Sequence, residues 1–312
     1  MHNLNVSRFA LHEDDRKKLN QLFGQQEKTE NHTLASMRLY YDHLIESTPV
    51  ASGIVCEEIE RNTSLKGFWL SPINAKRGKL IVYIHGGAYL LGSAKAYCGP
   101  ASQLAARTGC LTFVPDYPLA PENPFPAAPE SIENALIQLI NEGYGDIALA
   151  GDSAGGALAL AALQNPRIFH VTRSVVTYSP WVDLAFRGDS FMSGVVSDPV
   201  FEPGILLNAA ENYLKKSHPE SALASPLYHD YKQLPPLLIQ VGTREILMDD
   251  AVRLATKAAA TDCRTVLEIY EGMYHVFQNN LSLYAAQSAL VSAASHISAN
   301  WNETTHLNAH KS

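Results

Sequence analysis

Residues 151–156 read GDSAGG, between an apolar run, DIALA (146–150), and a small-residue helical pattern, ALALAAL (157–163). A G-x-S-x-G segment joining a strand to a helix forces a turn so tight that the neighbours of the serine must be small. The serine is then held in a strained conformation, its Oγ projecting at a helix N-terminus. Ser153 is therefore a candidate nucleophile for acyl transfer. A capping serine on a glycine-rich turn is the plainer alternative. A serine hydroxyl is a poor nucleophile alone and needs a base within hydrogen-bond reach. Of the 12 histidines, His275 follows directly on a C-terminal strand pattern, TVLEIY (265–270), in the loop EGMYHVF (271–277). That place makes it the candidate base.

The base needs an orienting acid. The stretch VGTREILMDDA (241–251) offers Glu245, Asp249 and Asp250 just after the strand pattern LLIQV (237–241). Asp249 and Asp250 precede a good helix pattern, AVRLATKAAA, where an aspartate caps the helix and meets its positive end. Capping accounts for both. It does not account for Glu245, which stands before the periodic helix begins. Glu245 is the expected acid, with Asp249 second.

An acyl-transfer site also needs donors for the developing oxyanion. After LIVYI comes His85-Gly86-Gly87-Ala88-Tyr89. Glycine-rich loops also cradle phosphate, but neither G-x-x-x-x-G-K-[ST] nor G-x-G-x-x-G is present here. Gly86 and Gly87 are the expected backbone donors, with the N–H of Ala154 as the third.

These loops require a scaffold that brings them to one edge. Short apolar runs at 54–60, 67–70, 80–85, 110–114, 146–150, 174–179, 237–241 and 265–270 read as strands. Helical patterns lie near 94–107, 128–142, 154–164, 249–260 and 280–298. The alternation predicts an α/β fold with a mostly parallel central sheet flanked by helices, and ligands bind beyond the carboxyl ends of such strands. Two N-terminal segments, around 14–24 and 33–47, read as helices, the first ending at Gly24. Residues 184–222 interrupt the rhythm and read either as a lid or as an ordinary connection.

The chain has 312 residues, 46% of them hydrophobic and 18% charged, enough for a sizeable core. A net charge of −7 and the absence of a Lys/Arg block argue against a nucleic-acid surface. Cys56, Cys98, Cys110 and Cys263 form no C-x-x-C pair, so free thiols are expected rather than a disulfide scaffold or zinc site. No secretory signal pattern and no run of eighteen apolar residues is present, which points to a soluble cytoplasmic protein. TVLEIY is expected at a sheet edge, where a second copy could pair to form a homodimer. The polar tail WNETTHLNAHKS is expected to be disordered.

The motifs HGGAYLLGS (85–93), DYPLAPENPFPA (116–127), GDSAGG (151–156), SPWVDL (179–184), LPPLLIQVGTREILMDDA (234–251) and GMYHVF (272–277) resemble the hormone-sensitive-lipase-like, or bacterial family IV, esterases. The resemblance implies an α/β-hydrolase fold, one domain over 1–312, with a helical cap from about 1–48 and about 184–222. It implies Ser153 as nucleophile, His275 as base, Glu245 as acid, and Gly86, Gly87 and Ala154 around the oxyanion, with His85 structural. It implies hydrolysis of short-chain acyl esters without metal or organic cofactor. Lactone hydrolysis or N-acyl amide cleavage by the same triad is the alternative, followed by a non-catalytic ligand-binding protein. Tyr89, Leu90 and Trp181 are expected in the substrate pocket. The chain departs from the family pattern at Pro118, where Arg is usual, which threatens to leave Asp116 without a partner, and at Glu245, where Asp is commoner.

Overall fold

A computed structural model describes residues 3–24, 33–62, 65–194 and 196–307. The strands are β1 (Leu4–Phe9), β2 (Ile54–Asn62), β3 (Leu65–Pro72), β4 (Lys76–Ile84), β5 (Cys110–Pro115), β6 (Ile147–Asp152), β7 (Thr172–Tyr178), β8 (Leu237–Gly242) and β9 (Thr265–Tyr270). The helices are α1 (Glu13–Phe23), α2 (Leu34–Glu46), α3 (Cys98–Thr108), α4 (Ala127–Asn141), α5 (Ala154–Ala162), α6 (Pro166–Val171), α7 (Asp189–Met192), α8 (Pro203–Leu214), α9 (Met248–Ala259) and α10 (Tyr284–Leu307).

One sheet runs in the order β1-β9-β8-β7-β6-β4-β5-β3-β2. Strands β4 to β9 are parallel to their neighbours, and β3 and β2 add an antiparallel edge. The central strands are buried on both faces, so they read as continuous apolar runs rather than alternating ones. Helices α4, α5 and α9 pack one face and α3 and α10 the other. This is the expected architecture, and all eight expected strands are present.

The differences lie at the ends of the chain. Strand β1, LNVSRF, was not foreseen. It is half exposed and polar at alternate positions, so it carries no apolar run. It pairs in parallel with β9, with Leu4 opposite Thr265 and Phe9 opposite Tyr270. TVLEIY is consequently an interior strand and β1 is the edge. Gly24 follows α1 with an ordinary right-handed backbone (φ −75°), not a left-handed cap. Helix α10 continues through Leu307, beyond the start of the tail expected to be disordered; residues 308–312 lie outside the described residues. The four cysteines are free. Among the described residues, no helix is long and apolar enough to cross a membrane.

Two carboxylate and guanidinium clamps fix the N-terminal helices over the carboxyl edge of the sheet. Asp15 of α1 is fully buried and accepts the Tyr284 and Ala285 N–H groups, both at 2.9 Å. It thereby satisfies two of the open donors at the start of α10. Arg38 of α2 donates to Leu90 O at 2.8 Å and Ala120 O at 2.9 Å, and pairs with Glu122 at 2.7 Å. Both carbonyls belong to loops that leave the sheet beside the expected oxyanion segment.

Candidate active site

The turn that carries the candidate nucleophile is built as its spacing requires. Ser153 has φ +51° and ψ −119°, a strained conformation for a residue with a side chain, directly between β6 and α5. A Cβ on Gly155 would collide with the Ile84 carbonyl oxygen, so only glycine lets α5 lie this close to β4. Ala154 opens α5, where its N–H has no intrahelical acceptor and the helix presents its positive end.

His275 lies on the loop between β9 and α10. Its Nδ1 is 3.0 Å from Glu245 Oε2, and Glu245 is completely buried. A carboxylate only accepts, so the Nδ1–H donates and Nε2 is left as the basic nitrogen. The other oxygen, Oε1, accepts the Gly242 N–H at 2.6 Å and the Ser179 hydroxyl at 2.8 Å. Ser153 and His275 both open on a cavity of about 1040 Å³. Ser153 Oγ makes no hydrogen bond among the described residues, and nucleophile–base contacts are commonly loose before substrate binds.

The neighbouring carboxylates are not helix caps. Asp249 accepts the Ser190 N–H at 2.7 Å. Asp250 Oδ2 accepts the Val182 and Asp183 N–H groups at 2.9 and 3.0 Å. Both reach across to the segment after β7, which capping rules based on chain neighbours do not anticipate. Burial, and then the Asp183 carboxylate, push the Asp250 pKa up to about 8, against the two N–H groups and the Arg253 guanidinium. Tyr89 is the further titratable group within its field.

A raised pKa means the folded state holds this proton more tightly than the unfolded chain does, where 3.8 is ordinary. The associated stabilisation is complete at acid pH and is lost as pH rises through about 8. Asn cannot ionise, yet its amide oxygen can accept the same two N–H groups. The Tm of wild type minus that of Asp250→Asn is therefore expected to fall from about pH 5 to about pH 8 in thermal scans and to level off above that. A gap that widens would mean an ionised Asp250 paired with Arg253.

The oxyanion loop departs from expectation at Gly86. Its N–H donates to Asp152 Oδ1 at 3.1 Å, so it does not point into the cavity. A Cβ there would strike the Asp152 carboxylate, which accounts for the glycine without a catalytic role. Gly87 and Ala88 both line the cavity, and no acceptor takes their N–H groups among the described residues. Ala88 sits at φ +53° and Tyr89 at φ +64°, so the loop is turned sharply at both. Asp152 was not singled out in the sequence, although it directly precedes Ser153. It also accepts the Tyr83 and Tyr97 hydroxyls at 3.1 and 2.9 Å, and burial raises its pKa to about 6. Tyr97 in turn meets Tyr41 of α2 at 2.8 Å.

His85 stacks on Tyr117 at 4.2 Å, its Nδ1–H donating to Gly86 O at 2.8 Å. Burial drives its pKa down to about 4, so it is a neutral structural ring. Asp116 is not isolated by Pro118, since Lys66 reaches it at 3.2 Å.

Of the expected pocket residues, Leu90 lines the cavity, whereas Tyr89 and Trp181 do not. Tyr89 lies 1% exposed, stacked on Tyr213 at 3.8 Å, and Trp181 is packed beside it. The walls come instead from α1 and α2 (Phe23, Met37, Ile45) and from the 184–222 segment (Phe201, Ile205). Phe201 meets the His275 ring edge-on at 4.8 Å.

Residues 81–279 match the model of a family described by the alpha/beta hydrolase fold. The chain is 38% identical over 213 residues to an acetyl-hydrolase of Streptomyces hygroscopicus, covering 67% of this chain and 71% of that protein. It superposes on an esterase from the bacterial hormone-sensitive lipase family with TM-score 0.85 and 34% identity, over 91% of this chain and 98% of that one. It also superposes on EstE5, a protein crystallised and soaked with p-nitrophenyl butyrate, with TM-score 0.82 and 31% identity, over 92% and 98% of the two chains.

Proposed function

The chain belongs to the α/β-hydrolase fold family, among the hormone-sensitive-lipase-type esterases, and is a carboxylesterase; on that footing we propose that it hydrolyses short-chain acyl esters through a Ser153–His275–Glu245 triad and an acyl-enzyme. The observation that carries the triad is the 3.0 Å bond from His275 to a fully buried Glu245, on the wall of the cavity that holds the strained Ser153. His275 Nε2 takes the Ser153 proton as Oγ attacks the ester carbonyl. The imidazolium then protonates the leaving alcohol, and the neutral ring next activates water against the acyl-enzyme. The oxyanion is held by the N–H groups of Gly87, Ala88 and Ala154, with the α5 terminus adding its positive end. Gly86 takes the supporting role of turning Asp152 onto the loop.

Helices α1 and α2 and residues 184–222 act as the cap. Their apolar side chains line a cavity near the upper end of usual ligand-site volumes, so an apolar alcohol or acyl group has room beside a short partner. The soak of EstE5 with p-nitrophenyl butyrate supports an ester of this kind as substrate.

The test combines a p-nitrophenyl ester series from acetate to palmitate, a lactone and an N-acyl amide with fluorophosphonate labelling. Expected are mass addition on Ser153 and a kcat/KM for butyrate at least ~10-fold above palmitate. A preference for the lactone or amide would reassign the substrate while keeping the triad. Ligand binding without labelling or turnover would remove the catalytic reading.

A further inference from the structure

We propose that Ser179 is a positioning residue of this active site, a hydroxyl that joins the acid to the loop carrying the base; the inference rests on the triad reading above. Ser179 follows β7 and is completely buried. Its N–H donates to Gln240 O at 2.7 Å, which fixes its backbone to β8. Its hydroxyl donates to Glu245 Oε1 at 2.8 Å. Ser179 Oγ itself accepts the Val276 N–H at 3.1 Å, from the residue directly after His275. Two residues on, the Trp181 N–H donates to Ser153 O at 3.1 Å. One short stretch thus ties together the nucleophile turn, the acid and the base loop.

The chemistry explains the residue type. A hydroxyl both donates and accepts, so one oxygen can hold a carboxylate and a backbone N–H together. Alanine would strip Oε1 of one of its two donors and leave the buried Val276 N–H unpaired. Glu245 would lose a bond that sets its rotation, and His275 a bond that sets its loop. The carboxylate, with less of its charge compensated by hydrogen bonds, would also attract the imidazolium more strongly. Two other carboxylates belong to the surroundings of His275: Asp152, which keeps its Tyr83, Tyr97 and Gly86 partners whatever stands at 179, and Glu202, which lines the same cavity.

The backbone supplies a clean control. Ser179 has φ +46°, a conformation that glycine adopts at little cost. Ser179→Gly therefore deletes the hydroxyl while easing the turn, and Ser179→Ala deletes it without that relief. Both variants are expected to lower kcat on p-nitrophenyl butyrate by ~30-fold or more, with KM within about twofold. The acid limb of kcat/KM is expected to move to higher pH by about half a unit, and fluorophosphonate labelling of Ser153 to slow in step with kcat. The Tm of Ser179→Gly is expected within a few degrees of wild type.

Wild-type kcat in a folded Ser179→Gly would overturn the inference. So would a loss that follows only the unfolded fraction while the pH profile stays in place. Wild-type protein that fails to label at Ser153 would overturn the triad reading itself, and this inference with it. Normal labelling of wild type together with unaffected variants would overturn the role of Ser179 alone.

Discussion

Replacing Ser153 by alanine is expected to abolish turnover of p-nitrophenyl butyrate, lowering kcat by about a million-fold, the scale seen when a triad nucleophile is removed. The loss should be that large because Oγ is the only atom on which the acyl group can reside. What remains in the variant is oxyanion binding and proximity, which leave a small rate above water. The fold should barely register the change. Ser153 Oγ has no hydrogen-bond partner among the described residues, and alanine keeps the Cβ that the turn already accommodates at φ +51°. Kinetics and thermal scans on the same sample check both halves. An active, folded Ser153→Ala protein would end the acyl-enzyme mechanism.

Much of this site was legible because its parts have sequence-local signatures. The nucleophile turn needs small residues on both sides of a serine, and the strand and helix around it are strongly patterned. The proposed base and acid each follow closely on a strand, where the fold collects its loops. What escaped the sequence was decided by groups distant along the chain. Gly86 looked like an oxyanion donor because nothing in HGGAY shows that Asp152, 66 positions on, takes its N–H. Asp250 looked like a cap because its true partners, Val182 and Asp183, come from another loop. Ser179 reads as one more serine beside a proline until β7, β8 and the His275 loop converge on it.

The pocket was misread for a related reason. Tyr89 and Trp181 are large, apolar and adjacent to catalytic motifs, which is equally the description of core residues. The positive φ at Ala88 and Tyr89 turns the Tyr89 ring back onto Tyr213. The cavity wall is left to α2 and to the 184–222 segment. Strand β1 escaped because an edge strand needs no continuous apolar run when one side of it stays wet.

Changing Glu245 to glutamine should lower kcat by ~10⁴ with little change in KM, the scale on which neutralising a triad acid acts. The amide oxygen can still accept from Gly242 and Ser179, which places the NH₂ group opposite His275 Nδ1. Two donors cannot face each other, so the ring must take the tautomer with Nδ1 bare and Nε2 protonated. That ring offers Ser153 a donor where a base is needed, and it loses the carboxylate that stabilises the imidazolium. Substrate still meets the same cavity wall, which is why KM is spared. Asp249→Asn is the matched control, because an amide oxygen can accept the Ser190 N–H as the carboxylate does at 2.7 Å. Its kcat should stay within a few-fold of wild type. The opposite pattern, with Asp249→Asn inactive and Glu245→Gln active, would move the acid one helical turn along the chain and leave the nucleophile and base where they are.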